Sequence, residues 1–471
     1  MNKTLATFVV FLLASSPVRA LEWHTMGARA LGMGGSGVAA AQGPLAAYWN
    51  PAALGRATSN SYGLQIPFGI HAALTGSVIE GAQNLENLKD TCASGGTCSN
   101  ADITSALNKL NDPGNGLRVD AGLGADLKIG KAAIFFNGFT NVGAVPLADT
   151  IHTANADIAG TSATPNTSKL IVKGTNIAEL GVGYGHELPF APGLYLGGAI
   201  KLMNAQVGYV DYFVLQNNND QGNIVSKLKD GANKSSNIGL DAGVLWDVAR
   251  TFEGAPLHPR VGLVGRNLNN PKFKQPAAAT AAGLSDKFAV NPQVRMGASI
   301  SPFNWWNITT DLDLTRNLTP VDNVASRQFG IGNEFNVFNR SWINIPLRIG
   351  LMKNLEESSA GTVFTAGTGL NFLHVMLDVS AALSNKRVVT ESQGKETKIP
   401  REVAVGAKLS FLFGGSDEEK EPVAPAREWK AAPPPEDDQP APTETIRKAA
   451  EKAQEDLKAE DLKNTAPAAK P

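Results

Sequence analysis

The feature that most constrains this chain is a long alternation of apolar and polar residues. Over Leu117–Ile129, thirteen residues, every odd position is Leu, Val, Ala or Ile, and every even position is Arg, Asp, Gly or Lys. A period of two places successive side chains on opposite faces of a β-strand. Such a strand is longer than the usual five or so residues and about long enough to cross a membrane at a tilt. We therefore predict a sheet with one apolar and one polar face.

The same alternation recurs between turns and polar loops from residue 62 to residue 413. We predict strands at 62–74, 117–129, 131–142, 175–187, 193–207, 237–248, 259–268, 293–300, 305–315, 328–338, 343–351, 362–372, 374–384 and 401–413. These fourteen strands are an even number, which returns the chain to the side of the membrane where it starts. The predicted fold is all-β, a transmembrane antiparallel β-barrel of about 14 strands.

A soluble β-sandwich is the competing fold, since its strands also alternate. Long apolar faces favour the barrel, as do aromatic residues near strand ends, at Tyr62, Trp305, Trp306 and Trp342. The last strand ends on Phe413, where an aromatic residue would belong to the interfacial girdle of a barrel.

The first twenty residues predict export. Lys3 is followed by an apolar stretch, and Val18-Arg19-Ala20 matches a signal-peptide cleavage site, which places the start of the mature chain at Leu21. A retained anchor helix is the alternative, but it would need about 18 apolar residues. No later stretch is apolar enough to cross a bilayer as a helix, so insertion would have to use strands.

Charge and cysteine content narrow the function. A net charge of −1 lacks the basic excess typical of nucleic-acid binding. Cys92 and Cys98 lie in a polar stretch, where export favours a disulfide over a metal site, the alternative. The segments 75–112 and 218–235 should be loops with helical character, since Leu85 and Leu88 are among residues at helical spacing.

The front of the predicted mature chain is rich in small residues. Gly34, Gly35 and Gly37 permit tight bends, and Asn50-Pro51 is a turn signal. Gly32 to Gly37 also matches the G-x-G-x-x-G pattern, but no strand precedes it and no βαβ unit surrounds it. We therefore do not expect a dinucleotide site or any other cofactor.

The block Gly27–Gly37, followed by Ala46-Ala47-Tyr48-Trp49-Asn50-Pro51-Ala52, resembles the N-terminus of the FadL-like outer-membrane transport proteins. The resemblance implies a hatch at 21–61 that plugs the barrel of 62–413, with Asn50-Pro51-Ala52 as its most specific element. Ala178–Gly185 and Gly193–Gly198 are similar to the TraF-like barrels of conjugal transfer within that superfamily.

Residues 414–471 differ from the rest of the chain. They hold 14 Asp and Glu against 9 Lys and Arg, with many prolines, and we expect disorder in the periplasm, except for a charged helix over Glu444–Lys463. A solvated spacer and a segment that docks a periplasmic protein are both compatible with this composition.

Catalytic patterns are not evident. The six histidines are scattered singly, and no P-loop or G-x-S-x-G is present, so we expect neither an enzyme nor a metal site. Charged residues within the strands fit the polar inner wall of a barrel: Arg118, Asp120, Asp126, Lys201, Asp241, Arg295, Asp311, Asp313 and Arg348.

Two functions follow as hypotheses. The first is a passive channel for hydrophobic compounds such as long-chain fatty acids, in contact with outer-membrane lipid, as the resemblance implies. The second is a structural barrel associated with secretion or conjugal transfer, which acts through a periplasmic partner of residues 414–471.

Overall fold

The structure of the protein is a computed structural model. It describes residues 22–56, 62–76, 78–94, 98–111, 115–215, 224–252, 254–318, 324–340, 342–357, 359, 361–392, 395–413 and 447–456. The predicted signal peptide 1–20, the ends of the predicted hatch and most of the predicted tail lie outside these residues.

Fourteen antiparallel strands close into a barrel, which confirms the predicted fold and each of its strands. The twenty strands of the described chain are β1 Tyr62–Thr75, β2 Gly116–Ile129, β3 Ala132–Leu147, β4 Lys169–Glu187, β5 Leu194–Phe213, β6 Asn233–Asp247, β7 Arg260–Arg266, β8 Lys272–Lys274, β9 Lys287–Ala289, β10 Gln293–Phe303, β11 Trp306–Asp313, β12 Asn317–Leu318, β13 Ala325–Ser326, β14 Gln328–Asn339, β15 Ile343–Asn354, β16 Thr362–Phe372, β17 Val375–Ser384, β18 Arg387–Ser392, β19 Lys395–Pro400 and β20 Glu402–Phe413. Neighbours in sequence pair around the barrel, and β1 pairs with β20 to close it.

The barrel has the reverse polarity of a soluble protein. On β2, Leu123 and Leu127 point outward and are exposed, whereas Asp126 and Lys128 point inward and are almost fully buried. All nine strand charges predicted to line the inner wall are buried, which confirms that prediction. Among the described residues, no helix is both long and apolar enough to span a bilayer.

The two ends of the barrel differ in the length of their connections. At one end, called here the turn end, most connections are short, such as Gly130-Lys131 between β2 and β3, although the connection 248–259 between β6 and β7 carries the short helix Val248–Thr251. At the other, the loop end, the connections carry helices and the hairpins β8–β9, β12–β13 and β18–β19. Exposed aromatic side chains lie near the turn end: Tyr62, Tyr184, Trp246, Phe303, Trp305, Trp342, Phe372 and Phe413.

Three features differ from the sequence prediction. The strands β3, β4 and β5 extend further toward the loop end than predicted, to residues 147, 169 and 213. In the described part of the predicted helical segment 218–235, a helix covers Ile224–Asp230, and β6 begins at Asn233. The three loop hairpins were not predicted, since strands of two to six residues are too short for a periodic signal.

Helices α1 (Val78–Ala93) and α2 (Asn100–Leu110) form a small cap at the loop end. Leu85, Ile103 and Leu107 are buried in it, together with Ile158 and Leu215 from neighbouring loops. Cys92 and Cys98 are joined by a disulfide within this cap.

The chain after residue 424 forms a separate unit. Its described part, 447–456, is a helix, which lies within the helix predicted over 444–463. Arg447 and Glu451 form an ion pair one turn apart, at 3.5 Å, on its exposed surface.

Candidate functional site

The candidate site is the inside of the barrel, where residues 22–56, called here the inner segment, pack against the wall. Its short helices are Ala28–Gly32 and Ala46–Trp49, followed by a 3-10 helix, Pro51–Gly55. Most of the segment is buried, and 16 of its 35 residues are glycine or alanine. Small residues allow its backbone to lie directly on the strands, and this close approach defines the geometry of the site.

The glycine block lies against β14, β15 and β16. Gly34 has φ +68° and Gly35 has φ +72°, conformations that L side chains rarely adopt. A Cβ on Gly34 would lie 2.5 Å from the carbonyl oxygens of Ile331 and Leu351. The hydroxyl of Thr365 accepts the Gly34 N–H and donates to the Gly32 carbonyl, each at 3.1 Å. The block is therefore fitted to this side of the wall.

The wall is also glycine where the inner segment touches it. A Cβ on Gly332 would lie 2.4 Å from the Cα, C and O atoms of Met33, and one on Gly350 would lie 2.5 Å from the N atom of Gly34. Both partners in these contacts are backbone, which cannot move aside as a side chain can. Glycine on both sides is what allows the segment to dock.

The Asn50-Pro51-Ala52 element docks on the opposite strands, β4, β5 and β6. The Asn50 side chain donates to the Val244 carbonyl at 3.1 Å and accepts the Ala52 N–H at 3.1 Å, so it caps the 3-10 helix. A Cβ on Gly197 would lie 2.3 Å from the carbonyl carbon of Pro51. The two parts of the N-terminal motif thus contact different sides of the same barrel.

Ion pairs join the inner segment to the wall. Arg29 forms two hydrogen bonds of 2.8 Å with the Glu334 carboxylate, which also accepts from Arg348 at 2.7 Å. Arg348 in turn contacts Asp378 at 2.7 Å, and Lys408 contacts the same carboxylate at 3.1 Å. Burying a single unpaired charge on this wall would be costly, and in this network each charged side chain has a partner of opposite charge.

A second network lies near the start of the inner segment. Glu22 forms an ion pair with Arg118, and Arg118 contacts Asp120 at 2.7 Å. His71 lies between Asp120, at 3.2 Å, and Glu402, at 2.9 Å, which connects β1 with β2 and β20.

The remaining predicted wall charges contact one another, the backbone of the inner segment or, for Asp126, the Asn137 side chain at 3.4 Å. Lys201 contacts Asp241 at 2.9 Å, and Arg295 contacts Asp313 at 2.6 Å. Asp311 accepts the N–H groups of Gly37 at 2.8 Å and Val38 at 3.0 Å. Asp311 therefore positions the inner segment directly, whereas the two ion pairs compensate charges within the wall.

Aromatic residues of the inner segment pack on wall cations. The Arg266 guanidinium lies 4.1 Å from the ring centre of Tyr48 and 5.2 Å from that of Trp23. Arg295 lies 4.8 Å from the Trp23 ring on another side. Contacts of this kind stabilise by about 2 kcal/mol or more when they are desolvated.

A cavity of about 60 Å³ remains between the first residues of the inner segment and the wall. That volume holds about two water molecules. Trp23 Nε1, His24 Nε2 and Asp120 Oδ1 are buried around it without a protein hydrogen-bond partner, and water would satisfy them. Within the described chain, no cluster of His, Cys, Asp or Glu could hold a metal ion.

The inner wall becomes apolar near the loop end. Ile177 on β4 and Met203 and Val207 on β5 point inward and are buried against Phe273 and Phe288 of the hairpin β8–β9. This mouth patch contrasts with the charged wall around the inner segment.

The family model described as "F plasmid transfer operon, TraF, protein" matches residues 47–313. The chain belongs to this family. The match covers the Asn50-Pro51-Ala52 element and most of the barrel strands, and it confirms the TraF-like resemblance. No curated protein matches this TraF-family chain.

Solved structures similar to the TraF-family chain include two toluene transporters and a FadL homologue. The toluene transporter TodX of P. putida is 11% identical, with a TM-score of 0.46, over 84% of this chain and 100% of that one. The toluene transporter TbuX of Ralstonia pickettii is 12% identical, with a TM-score of 0.45, over 82% and 98%. A Pseudomonas aeruginosa FadL homologue is 10% identical, with a TM-score of 0.37, over 84% and 98%.

The sequence analysis named the glycines and Asn50-Pro51-Ala52 as the hatch motif, and the structure brings all of them against the barrel wall. The sequence analysis did not identify four residues of the ion-pair networks, which are Glu22, Arg29, His71 and Glu334. A lone arginine in a block of small residues was the available signal for Arg29. Its partner lies 305 residues away in sequence, so only the barrel register reveals it.

Proposed function

We propose that this protein is an outer-membrane channel for hydrophobic compounds, such as long-chain fatty acids, and that residues 21–61 are its plug. The observation that carries the proposal is the reversed polarity of a closed barrel that encloses its own N-terminal segment. A wall with apolar residues outside and paired charges inside suits lipid on one side and a polar plug on the other.

Membrane insertion is supported by the outer surface. Soluble monomers rarely expose contiguous apolar patches of more than a few hundred Å². Here all fourteen strands carry outward apolar residues, such as Leu180 and Val182 on β4 and Ile349 on β15. The exposed aromatic residues of the turn end, among them Trp305 and Trp342, would lie at a membrane interface. Short turns usually face the periplasm and long loops the exterior, which orients the barrel.

The class of compound is argued from the mouth patch. Ile177, Met203 and Val207 would offer an apolar surface to a ligand that displaces the β8–β9 hairpin. Passage toward the membrane would follow the wall between β6 and β7, where only Ala242–Asp247 pair with β7. The predicted signal peptide and cleavage after Ala20 belong to the same proposal.

Uptake of a labelled long-chain fatty acid tests the proposal in cells that carry, lack or are re-supplied with the gene. Outer-membrane levels of the barrel are checked by blot in each case. We expect uptake to depend on the gene. The variant Met203→Asp should reduce this uptake, whereas the exposed control Lys353→Gln should not. Equal uptake by all cells at normal barrel levels would refute transport of this compound.

The competing proposal is a barrel associated with secretion or conjugal transfer, whose tail recruits a periplasmic protein. The family description and the charged helix at 447–456 favour it. Deletion of 414–471 separates the two functions. A channel should retain uptake without the tail, whereas a scaffold should lose its transfer or secretion phenotype although the barrel still inserts.

A further inference from the structure

The hairpin β8–β9 at the barrel mouth has two chemically different faces. Phe273 pairs with Phe288 across the hairpin, and Lys274 pairs with Lys287. Because side chains alternate along a strand, the two phenylalanines share one face, and Lys272, Lys274 and Lys287 share the other. The short sequence therefore forms an amphipathic element.

The phenylalanine face fixes the hairpin to the barrel. Phe273 and Phe288 are 1% and 4% exposed, against Ile177, Met203 and Val207 of the inner wall.

Side chains of β6 also hold the hairpin backbone. Asn237 donates to the Lys272 carbonyl at 3.0 Å, and the Lys274 N–H donates to Ser235 at 2.9 Å. The lysine face is consequently turned away from the wall, and its three side chains are exposed.

This lysine face concentrates positive charge without compensation from the described residues. Directly opposed side chains in an antiparallel pair have Cβ atoms about 5 Å apart, and like charges there are destabilising. In the described part of the chain, none of Lys272, Lys274 and Lys287 forms an ion pair, and neighbouring Asp286 contacts Ser285 instead. An anion bound between the ammonium groups would remove the repulsion.

An apolar strip on the outer surface leads to this face. Ile238 and Leu240 of β6 are exposed, as is Leu268, whose N–H donates to the Leu240 carbonyl at 2.8 Å. Leu268 covers the position where Gly265 would carry a Cβ, on the outward face of β7. Only three residues lie between Leu268 and Lys272, so acyl chains on the strip would place a headgroup near the lysines.

We propose that the lysine face binds the phosphorylated headgroup of an outer-leaflet glycolipid whose acyl chains lie against Ile238, Leu240 and Leu268. A phosphate monoester carries a charge of about −1.5 to −2 and three acceptor oxygens, enough to bridge two ammonium groups, which a carboxylate does less well. The proposal rests on the outer-membrane orientation given under the proposed function.

The test measures binding of bis-phosphorylated lipid A to the purified full chain in detergent micelles. The variant Lys272→Gln/Lys274→Gln/Lys287→Gln is compared with Lys353→Gln/Lys386→Gln/Lys398→Gln, which removes three exposed lysines from other loop-end positions. Removal of the hairpin lysines should weaken binding about a hundredfold, and the control set should change it less than about twofold. Lipid A without phosphates should not bind the wild-type chain. Added salt should weaken the binding of phosphorylated lipid A.

Equal losses in both triple variants, or equal binding of the dephosphorylated lipid, would overturn the proposal. Binding of inorganic pyrophosphate that depends on the hairpin lysines, without lipid binding, would also overturn it in favour of a soluble anion. A gel-mobility test of the heated and unheated barrel verifies that each variant is folded.

Orientation is checked separately by labelling Lys274→Cys in intact cells with a membrane-impermeant maleimide, since both native cysteines are in a disulfide. Failure to label would refute the proposed orientation. Labelling without fatty-acid uptake would refute fatty-acid transport and leave lipid binding to be decided by the purified protein.

Discussion

Replacement of Gly332 by alanine should release the inner segment from the wall. The new Cβ would lie 2.4 Å from three backbone atoms of Met33, whereas carbon atoms in contact are normally about 3.5–4.0 Å apart. The segment would have to move by about 1 Å, because neither backbone has a flexible end. Overpacking of this kind costs about 1–3 kcal/mol, and the rigid backbone contact places Gly332→Ala at the upper end.

The matched control is Gly69→Ala on the same inner wall. A Cβ there would lie 3.6 Å from the Thr25 carbonyl oxygen, an ordinary contact, so the change should be tolerated. Hydrogen exchange of residues 27–37 measures docking directly, and ion conductance in planar bilayers measures closure. At about 3 kcal/mol, opening of the segment would be favoured more than about a hundredfold in Gly332→Ala. Equal protection and conductance in the two variants would refute the docking geometry.

Three further predictions concern single contacts. Asp311→Asn should lower the stability of the docked inner segment by about 1.5–3 kcal/mol, because a carboxylate that accepts two backbone N–H groups is replaced by an amide. Hydrogen exchange of residues 27–37 at increasing denaturant concentration measures this loss, and an unchanged unfolding midpoint would contradict the prediction. Burial alone would raise the pKa of Asp149, but hydrogen bonds from Thr167 and His152 outweigh burial and hold this pKa below its usual range. The Asp149 carboxylate should therefore stabilise the loop fully above about pH 4 and lose this effect as the pH falls further. Equally fast pulse-labelled hydrogen exchange of residues 149–168 in wild type and Asp149→Asn at neutral pH would exclude this role of Asp149. Cys92→Ser/Cys98→Ser should increase exchange within the cap and leave the strands unchanged, since the disulfide closes only a short loop, and a large loss of barrel stability would disagree.

The period-two alternation was sufficient to predict the barrel strands, because in a barrel each strand by itself separates the outer surface from the interior. Leu123 and Asp126 show this signal without knowledge of any neighbour. The pattern also placed Lys201 and Arg348 on the inner wall correctly. This prediction from alternation was correct because each face of a strand has one environment, outer surface or barrel interior, along most of the strand.

The contacts of the site were not predictable in the same way. Arg29 and Glu334 meet only because β14 occupies a particular place in the barrel, which alternation does not reveal. The hairpin pair Phe273 and Phe288 belongs to strands of three residues, too short for a period to be recognised. Local pattern therefore predicts the wall, whereas the identity of partners depends on closure.

The pairing of Tyr62 with Phe413 has a consequence for assembly. The first and last strands of the barrel meet at one seam, so the ring cannot be completed until the final strand has been made. Residues 22–56 precede the first strand and contact the wall on opposite sides, at Val244 and at Thr365. Because residues 22–56 are made before any strand of the ring, we expect them to be in place against the wall while the seam is still open. The last strand to be made would then complete the ring around the first part of the chain.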